Sequence, residues 1–393
     1  MSTEAIAIKA AAHQRYLLVL LFAGFVLTGI EITVVGPILP LFIARWSLND
    51  SEAGVLSTVQ FSGSLAGVWL SSIVTHYFGT RTSLVLGHLL IAAGLATVNA
   101  PSMFVAFIAL AALGIGYGLV VPPTNLTVAE IGGLRSASLV SLVNLAWGAG
   151  AMSCSPLVLV ALKNGLLSQL LFFFAGFGGL LAVSFLFSRF PEGKHATPHP
   201  TMAAVAARIG LLTTIALAAL FFLYVGVESS LGFWAAAYTK RLSGGEVGIS
   251  TLAPMFFYGA LLAGRALAPF LLGRVREYRL VMIALFVVIT GNTLYLLAGQ
   301  QKTAFVSVAL AGLGCATIFP IFVAWLSRWY GARAIRLGGL MFSMSSVGSS
   351  TVPWIVGQVS THAASLRIGL LVPLVSAVVM VFLLLLVRRQ AAA

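Results

Sequence analysis

The chain consists mainly of long apolar stretches that alternate with short polar ones. Stretches of about 20 apolar residues, the length of a helix that crosses the hydrocarbon core of a bilayer, recur along all 393 residues. Hydrophobic residues make up 60% of the chain and charged residues only 8%, far below the charge content of a soluble domain. The short segments of alternating polarity that form membrane barrels do not occur in the sequence. The sequence therefore predicts an all-α membrane protein.

Twelve membrane-spanning helices are predicted, divided six and six by a polar interval. The predicted spans are residues 16–44, 52–75, 81–98, 103–131, 136–160, 166–188, 209–238, 247–272, 279–298, 303–327, 335–359 and 366–387. The polar interval contains prolines, histidines and charged residues, a composition typical of a linker. We therefore predict an N-terminal six-helix bundle over residues 1–190, a cytoplasmic linker over 191–207 and a C-terminal six-helix bundle over 208–393.

The strongly basic balance of the chain orients it in the membrane. The sequence has 22 Lys and Arg against 9 Asp and Glu, a net charge of +13. With both termini in the cytoplasm, fifteen basic residues fall inside, six fall outside, and the remaining one, Arg265, lies within a span. This asymmetry is what the positive-inside rule requires. It predicts a multi-pass protein of a bacterial-type inner (plasma) membrane, in contact with lipid, that does not bind nucleic acid and acts as a monomer.

The two halves of the chain repeat a pattern of small residues at offsets near 200. Gly29-Ile30-Glu31 in the first helix matches Gly226-Val227-Glu228 in the seventh. Further matches join the second and eighth, fourth and tenth, and fifth and eleventh helices: Gly63–Gly67 with Gly259–Gly264, Gly114 and Pro122 with Gly314 and Pro320, and Gly150 and Pro156 with Gly348 and Pro353. Four matches in the same order indicate a duplication, which predicts two pseudo-symmetric bundles.

Glu31 and Glu228 are carboxylates inside apolar helices at matching positions of the two halves. Holding an ionised carboxylate at the centre of a bilayer costs about 3 kcal/mol on insertion scales, so such a residue is expected to border a polar chamber. Burial disfavours the charged form, and a carboxyl that loads and releases a proton is what ion coupling requires. We therefore predict that both bind substrate and a coupling ion, H⁺ or Na⁺. The alternative is a neutral carboxyl that only hydrogen-bonds across its bundle.

Other polar and aromatic side chains within the spans are candidates for the same site. Arg265 needs a partner, for which Glu228 is the first candidate, or it extends to the inner interface and helps close the cavity. The remaining candidates for contact with substrate are Gln60, Asn125, Asn144, Trp147, Tyr224, Trp234 and Tyr258. Buried amides demand a hydrogen-bonding partner, and the indole rings are either platforms for a sugar ring or ordinary packing.

Several of these residues resemble those of a known family. The stretch Tyr224-Val225-Gly226-Val227-Glu228, followed by Trp234, Tyr258-Gly259 and Gly264-Arg265, resembles the fucose:proton symporter and sodium-dependent glucose-transporter-like group of the major facilitator superfamily. The superfamily's loop motif is represented by Phe78-Gly79-Thr80-Arg81, with His76 and Tyr77 at its Asp-Arg places. The resemblance implies a twelve-helix fold in two bundles, a monosaccharide substrate such as glucose or fucose, and a gating role for Arg81.

No pattern in the sequence points to an enzyme. The six histidines show no metal-ligand spacing, and no glycine-rich nucleotide loop follows a strand, so neither a metal nor a cofactor is expected. The leading prediction is secondary active transport of a small solute, most simply a monosaccharide, driven by a proton or Na⁺ gradient. One alternative is a proton-coupled exporter of hydrophobic or cationic compounds. A remote alternative is a membrane sensor or scaffold that transports nothing.

Overall fold

A computed structural model describes residues 3–133, 136–190, 210–242, 247–330 and 334–392. Within these ranges all regular structure is helical, and no strand is present. The helices are α1 (Thr3–Thr33), α2 (Val35–Trp46), α3 (Asp50–Thr97), α4 (Met103–Gly132), α5 (Ser136–Lys163), α6 (Leu167–Phe187), α7 (Leu211–Leu242), α8 (Val247–Ser250), α9 (Ala253–Leu272), α10 (Glu277–Leu297), α11 (Gln301–Cys315), α12 (Ile318–Tyr330), α13 (Ala334–His362), α14 (Leu366–Gly369) and α15 (Leu371–Ala392). The predicted linker, 191–207, lies outside the described residues.

The helices are long and apolar enough to account for the predicted number of spans. Ten stretches in the described part of the chain qualify by length and hydropathy. One of them, α3, has 48 residues and is about 72 Å long, more than twice the thickness of a hydrocarbon core. It is interrupted at Gly79, whose φ of 85° and ψ of 161° are not helical, so α3 contains two spans. Together with α13, which has 29 residues but a more polar sequence, the total is twelve.

Prolines explain where the spans are interrupted. The chain leaves the helix at Val34, at 251–252, at 316–317 and at Leu370, each two to four residues before a proline. These prolines are Pro37, Pro254, Pro320 and Pro373. A proline lacks the amide that would bond to the carbonyl four residues earlier, and its ring clashes with that carbonyl. The interruptions leave backbone carbonyls that need other donors inside the membrane.

The described chain forms two compact units by its internal contacts. One unit contains α1, the part of α3 from Ser62 onward, and α4 to α6. Its central contact is between α1 and α5, where the backbones touch. A Cβ atom on Gly29 would lie 2.0 Å from the carbonyl oxygen of Trp147, and one on Gly150 would lie 2.0 Å from that of Val26. Only glycine fits at either position, because real Cβ contacts are longer.

The second unit contains α2, the part of α3 up to Phe61, and α7 to α15. Its central contact is between α7 and α13. A Cβ atom on Gly348 would lie 2.0 Å from the carbonyl oxygen of Phe222, and one on Gly226 would lie 2.4 Å from Val352 Cγ2. These are the glycines that the sequence repeat pairs with Gly150 and Gly29. The repeated glycines therefore form the same kind of helix crossing in each unit.

The boundary between these units differs from the division drawn on the sequence. Residues 35–61, which the sequence assigns to the N-terminal bundle, make their contacts with helices of the C-terminal half. The units are defined by contacts in this structure alone. The division into bundles 1–190 and 208–393 remains a prediction about which parts move together.

The glycine crossings can be tested by adding one methyl group. Gly150→Ala and Gly348→Ala should each lower the free energy of unfolding by about 1–3 kcal/mol, because the new Cβ forces two backbones apart. Thermal unfolding of the purified protein in detergent measures the change. The matched control is Gly176→Ala in α6, where nothing lies within 4 Å of the added Cβ. Its melting temperature should be unchanged or slightly higher, since alanine favours the helix; equal losses in all three variants would contradict the crossings.

Candidate functional site

A carboxylate, a phenol, a guanidinium and a backbone carbonyl meet in the second unit. The Tyr224 hydroxyl lies 2.5 Å from Glu228 Oε2 and 2.8 Å from the carbonyl oxygen of Cys315. Arg265 Nη2 lies 3.7 Å from the same Glu228 oxygen. We call these four groups the Glu228 cluster. Three of them, Tyr224, Glu228 and Arg265, are predicted site residues, and the structure brings them together.

Local features of three helices build this cluster. Tyr224 and Glu228 are four residues apart on α7, so their side chains share one face of the helix. Gly264 lets α9 pack closely against the end of α11, since a Cβ on Gly264 would lie 2.4 Å from the Cβ of Ala316. Arg265 is the next residue of α9. Cys315 is the last residue of α11. The last carbonyls of a helix have no donor within it, and the Tyr224 hydroxyl supplies one.

The cluster is largely shielded, and its charges offset each other. The side chains of Glu228 and Arg265 are 13% and 19% exposed. Tyr224 is fully buried, and its ring stacks on Phe319 of α12 with centroids 5.9 Å apart. A guanidinium stays protonated in proteins. The cluster is therefore neutral when Glu228 is ionised and carries one positive charge when Glu228 is protonated.

Tyr258 and Trp234 lie near the cluster on the same helices. The Tyr258 hydroxyl fits against Gly232, one turn beyond Glu228 on α7, where a Cβ would lie 2.2 Å from it. Trp234 is fully buried, and its indole N–H donates to the Pro353 carbonyl at 3.0 Å. In this structure Tyr258 therefore borders the α7 face that carries Glu228, whereas Trp234 packs α7 against α13. Contact of either ring with substrate remains a prediction.

Gln60 also belongs to the second unit and is almost completely buried. Its helix faces α13 through hydroxyl groups: Thr58 Oγ1 donates to the Ser350 carbonyl at 2.9 Å, and Ser57 Oγ donates to that of Ser349 at 3.5 Å. The amide of Gln60 therefore lies in a polar layer within the predicted spans.

The first unit holds the other candidates in two places. Glu31 is fully buried on α1, two residues after the glycine that crosses α5 at Trp147. Asn125 of α4 and Asn144 of α5 form a pair, in which Asn144 Nδ2 donates to Asn125 Oδ1 at 2.9 Å. Each amide also donates to its own helix, to the carbonyls four residues before. The structure therefore brings the predicted site residues Asn125 and Asn144 together.

Arg81, the predicted gating residue, is exposed and contacts the end of a helix. Its Nη2 donates to the carbonyl oxygen of Ser188 at 2.8 Å. Ser188 follows the last residue of α6, where a cation is favoured by the helix dipole. The geometry shows Arg81 as a cap of α6, and a role in gating remains a prediction.

Sequence reasoning missed two features of the second unit. One is the Cys315 carbonyl, for which the sequence gives no specific signal: Pro320 marks a possible interruption near residue 316 but not which carbonyl finds a donor in another helix. The other is the ion pair of Asp50 with Arg241, in which Arg241 Nη1 donates to Asp50 Oδ2 at 2.9 Å. Ser360 of α13 donates to the same carboxylate. Asp50 begins α3 and Arg241 ends α7, positions that read as ordinary loop charges in the sequence.

The described residues offer no metal centre. In those ranges no three His, Cys, Asp or Glu side chains come together in a way that could hold a metal ion.

The pairing of Glu228 with Arg265 predicts non-additive effects on stability. Arg265→Met should destabilise the protein by about 2 kcal/mol or more, because it leaves the Glu228 carboxylate without its cation. Adding Glu228→Gln should recover part of that loss, giving a coupling of about 1 kcal/mol. Thermal unfolding of the two single variants and the double variant measures it. Strictly additive shifts in the melting temperature would contradict the pairing.

Comparison with known sequences identifies the family. A family model described as Major Facilitator Superfamily matches residues 21–310, more than half of the chain. Among curated proteins, the chain is similar to an uncharacterized MFS-type transporter, YcaD, of Salmonella arizonae. The two are 23% identical over 390 residues, which cover 94% of this chain and 95% of the relative.

Comparison with solved structures agrees on the fold. A bacterial homologue of the human lysosomal transporter Spinster aligns with a TM-score of 0.77 at 15% identity, covering 96% of this chain and 97% of the other. A D-xylose–proton symporter aligns with a TM-score of 0.73 at 17% identity, covering 93% and 96%. The Escherichia coli fucose:proton symporter aligns with a TM-score of 0.62 at 17% identity, covering 94% and 98%.

These matches confirm the predicted fold class and the prediction that the chain is not an enzyme, since the family consists of carriers. The protein is an integral, all-α membrane protein, and its described helices are consistent with the twelve spans expected from the sequence. The chain belongs to the Major Facilitator Superfamily and is a transporter.

Proposed function

We propose that this transporter moves a monosaccharide, such as glucose or fucose, across the bacterial inner membrane by alternating access coupled to H⁺. The observation that carries the proposal is the Glu228 cluster, a carboxylate held by a phenol and a guanidinium within membrane-spanning helices. Placing an ionisable group inside a membrane-spanning helix costs free energy, and such groups typically bind a substrate or relay a proton.

The polar groups of the candidate site suit a sugar. Sugar hydroxyls both donate and accept hydrogen bonds, so they need donors and acceptors in the same site. Arg265 donates, the Glu228 carboxylate accepts, and the amide of Gln60 and the phenol of Tyr258 can do both. Two structural neighbours are named as sugar–proton symporters, the D-xylose and fucose proteins, and they support the same substrate class.

A proton suits the Glu228 cluster better than Na⁺ does. A sodium ion would have to sit among the oxygens of Glu228, Tyr224 and Cys315 with the Arg265 guanidinium 3.7 Å from the carboxylate. Two cations at such close range repel each other strongly in a low-dielectric site. A proton instead forms an O–H bond with Glu228 and adds no ion beside the guanidinium.

The arrangement in the membrane follows from the charge asymmetry of the loops. Both termini and the linker at 191–207 lie in the cytoplasm in this proposal, because the basic residues concentrate there. The protein acts as a monomer in contact with lipid, since one chain carries both predicted bundles. Residues 1–190 and 208–393 would then be the parts that move.

The coupling role of the carboxylates can be tested by uptake of radiolabelled sugars into proteoliposomes. Glu228→Gln and Glu31→Gln should each reduce accumulation driven by a pH gradient at least tenfold, because neither amide can carry a proton. Sugar exchange without a gradient should be less affected. The matched control is Glu130→Gln, which changes an exposed carboxyl at the end of α4 and should retain wild-type accumulation.

The outcome also separates the proposed activity from its alternatives. Gradient-driven efflux of a hydrophobic or cationic dye without sugar uptake would replace the proposal by a proton-coupled exporter. Accumulation that depends on Na⁺ and not on the pH gradient would replace the coupling ion. Absence of flux for sugars and dyes under either gradient would contradict a transport role for this site.

The ion pair of Asp50 and Arg241 should open during transport. Asp50 belongs to the predicted N-terminal bundle and Arg241 to the C-terminal one, so separation of these bundles must break the contact. Asp50→Arg should slow uptake and lower the melting temperature, because it places two cations together, and the charge-swapped Asp50→Arg/Arg241→Asp variant should recover part of both.

The control for this pair is Glu52→Gln, whose carboxylate accepts a hydrogen bond from the backbone amide of the nearby Asn49 at 2.9 Å. It should leave uptake close to wild type. Failure of the charge swap to recover any uptake or stability, relative to Asp50→Arg alone, would contradict the role of the ion pair.

A further inference from the structure

The Tyr224 hydroxyl has one proton, but it lies within hydrogen-bonding distance of more than one acceptor. Its oxygen lies within bonding distance of two acceptors, Glu228 Oε2 at 2.5 Å and the Cys315 carbonyl at 2.8 Å. Arg265, whose Nη2 lies 3.7 Å from the same Glu228 oxygen, can only donate. A phenol has one proton to give. Which acceptor receives it therefore depends on whether Glu228 is ionised or protonated.

The two states of Glu228 give two different hydrogen-bond patterns. When Glu228 is ionised, Tyr224 donates to the carboxylate, since bonds to charged acceptors are the stronger ones. The Cys315 carbonyl then loses that donor. When Glu228 is protonated, its new O–H donates to the Tyr224 oxygen, and Tyr224 donates to the Cys315 carbonyl. In the protonated state the Tyr224 oxygen and the Cys315 carbonyl therefore each receive a hydrogen bond.

The Cys315 carbonyl lies where α11 and α12 are interrupted, at residues 316–317. Tyr224 contacts both sides of this interruption, because its ring also stacks on Phe319 at the start of α12. Pro320 removes the amide that would bond to the Ala316 carbonyl in a continuous helix. The hydrogen bond from Tyr224 therefore reaches the place where the helix of the tenth span is interrupted.

We propose that Tyr224 is a positioning residue that transmits the protonation state of Glu228 to the interruption between α11 and α12. The inference rests on the proposed function, in which Glu228 takes up the coupling proton. The proton enters from water, forms the Glu228 O–H bond and returns to water when that bond breaks. No other group is consumed, and the Tyr224 proton changes only its acceptor.

The groups that influence Glu228 come from three helices. Tyr224 is on α7 itself, Arg265 and Tyr258 are on α9, and the Cys315 thiol is on α11. The other helices packed against α7 carry their described ionisable side chains towards their ends: Arg45 on α2, Arg328 and Tyr330 on α12, His362 on α13 and Arg388 on α15. Among the described residues, Glu228 contacts the Tyr224 hydroxyl and the Arg265 guanidinium directly.

Infrared spectroscopy can follow the Cys315 carbonyl alone, because the chain has only two cysteines, Cys154 and Cys315. In a Cys154→Ala background, cysteine labelled with ¹³C at its carbonyl places one label in the whole protein. We expect this band to shift to lower wavenumber on acidification, as the carbonyl gains the Tyr224 bond. The shift should follow the carboxyl band that Glu228→Gln removes.

Two variants and a control make the result specific. In Tyr224→Phe, which keeps the ring but not the hydroxyl, the band should stay at higher wavenumber at every pH. In Glu228→Gln its position should not depend on pH. Tyr295→Phe removes the hydroxyl of another buried tyrosine, which bonds to the Ala235 carbonyl at 3.0 Å, and should leave the shift intact.

The outcome is separable from that of the transport assay. A Cys315 band that does not move with pH in the Cys154→Ala protein overturns this inference, even where a pH gradient drives sugar uptake. A band that shifts in the same way in Tyr224→Phe also overturns it. A band that shifts only when Tyr224 and Glu228 are both present supports it, even where the uptake assay rejects the monosaccharide.

Discussion

Direct contact between helix backbones is the constraint on which both units depend. Lipid tails are as apolar as leucine, so helices in a membrane gain little from hiding apolar side chains and associate through close packing instead. The α1–α5 and α7–α13 crossings achieve this at Gly29 and Gly150 in one unit and at Gly226 and Gly348 in the other. Glu31 and Glu228 each follow a crossing glycine by two residues. Because residues two apart point to nearly opposite faces of a helix, each carboxylate lies on the side of α1 or α7 away from its crossing.

Interruption of a helix supplies what packing alone cannot, a free backbone oxygen beside a carboxylate. An unsatisfied carbonyl in hydrocarbon costs several kcal/mol, so an interrupted span needs a donor from a neighbouring helix. At the end of α11 that donor is the Tyr224 hydroxyl, 2.8 Å from the Cys315 carbonyl. The same hydroxyl reaches Glu228. The Tyr224 hydroxyl therefore contacts both the interruption of the tenth span and the carboxylate of the candidate proton site.

The fold and its repeat could be predicted from the sequence, because span length and glycine spacing are local properties. The approach of Arg265 to Glu228 could also be predicted, since a guanidinium inside a span demands an anion. The Cys315 carbonyl could not, because proline does not act uniformly: α4 continues through Pro122 and Pro123, whereas the matching span is interrupted before Pro320. At the interruption before Pro320, a hydroxyl of another helix, that of Tyr224, donates to the Cys315 carbonyl, and this contact is a property of the packed structure.

The duplication kept the carboxylates but not their surroundings. Four residues before Glu228 stands Tyr224, whereas Leu27 stands four residues before Glu31. The repeat pairs Gly264 with Gly67, so the position that holds Arg265 in the second half holds Val68 in the first. Glu31 is fully buried on α1, whereas the side chain of Glu228 is 13% exposed and lies 3.7 Å from Arg265 Nη2. The two matching carboxylates therefore lie in different surroundings, and the phenol and guanidinium beside Glu228 make the second half the stronger candidate for proton exchange.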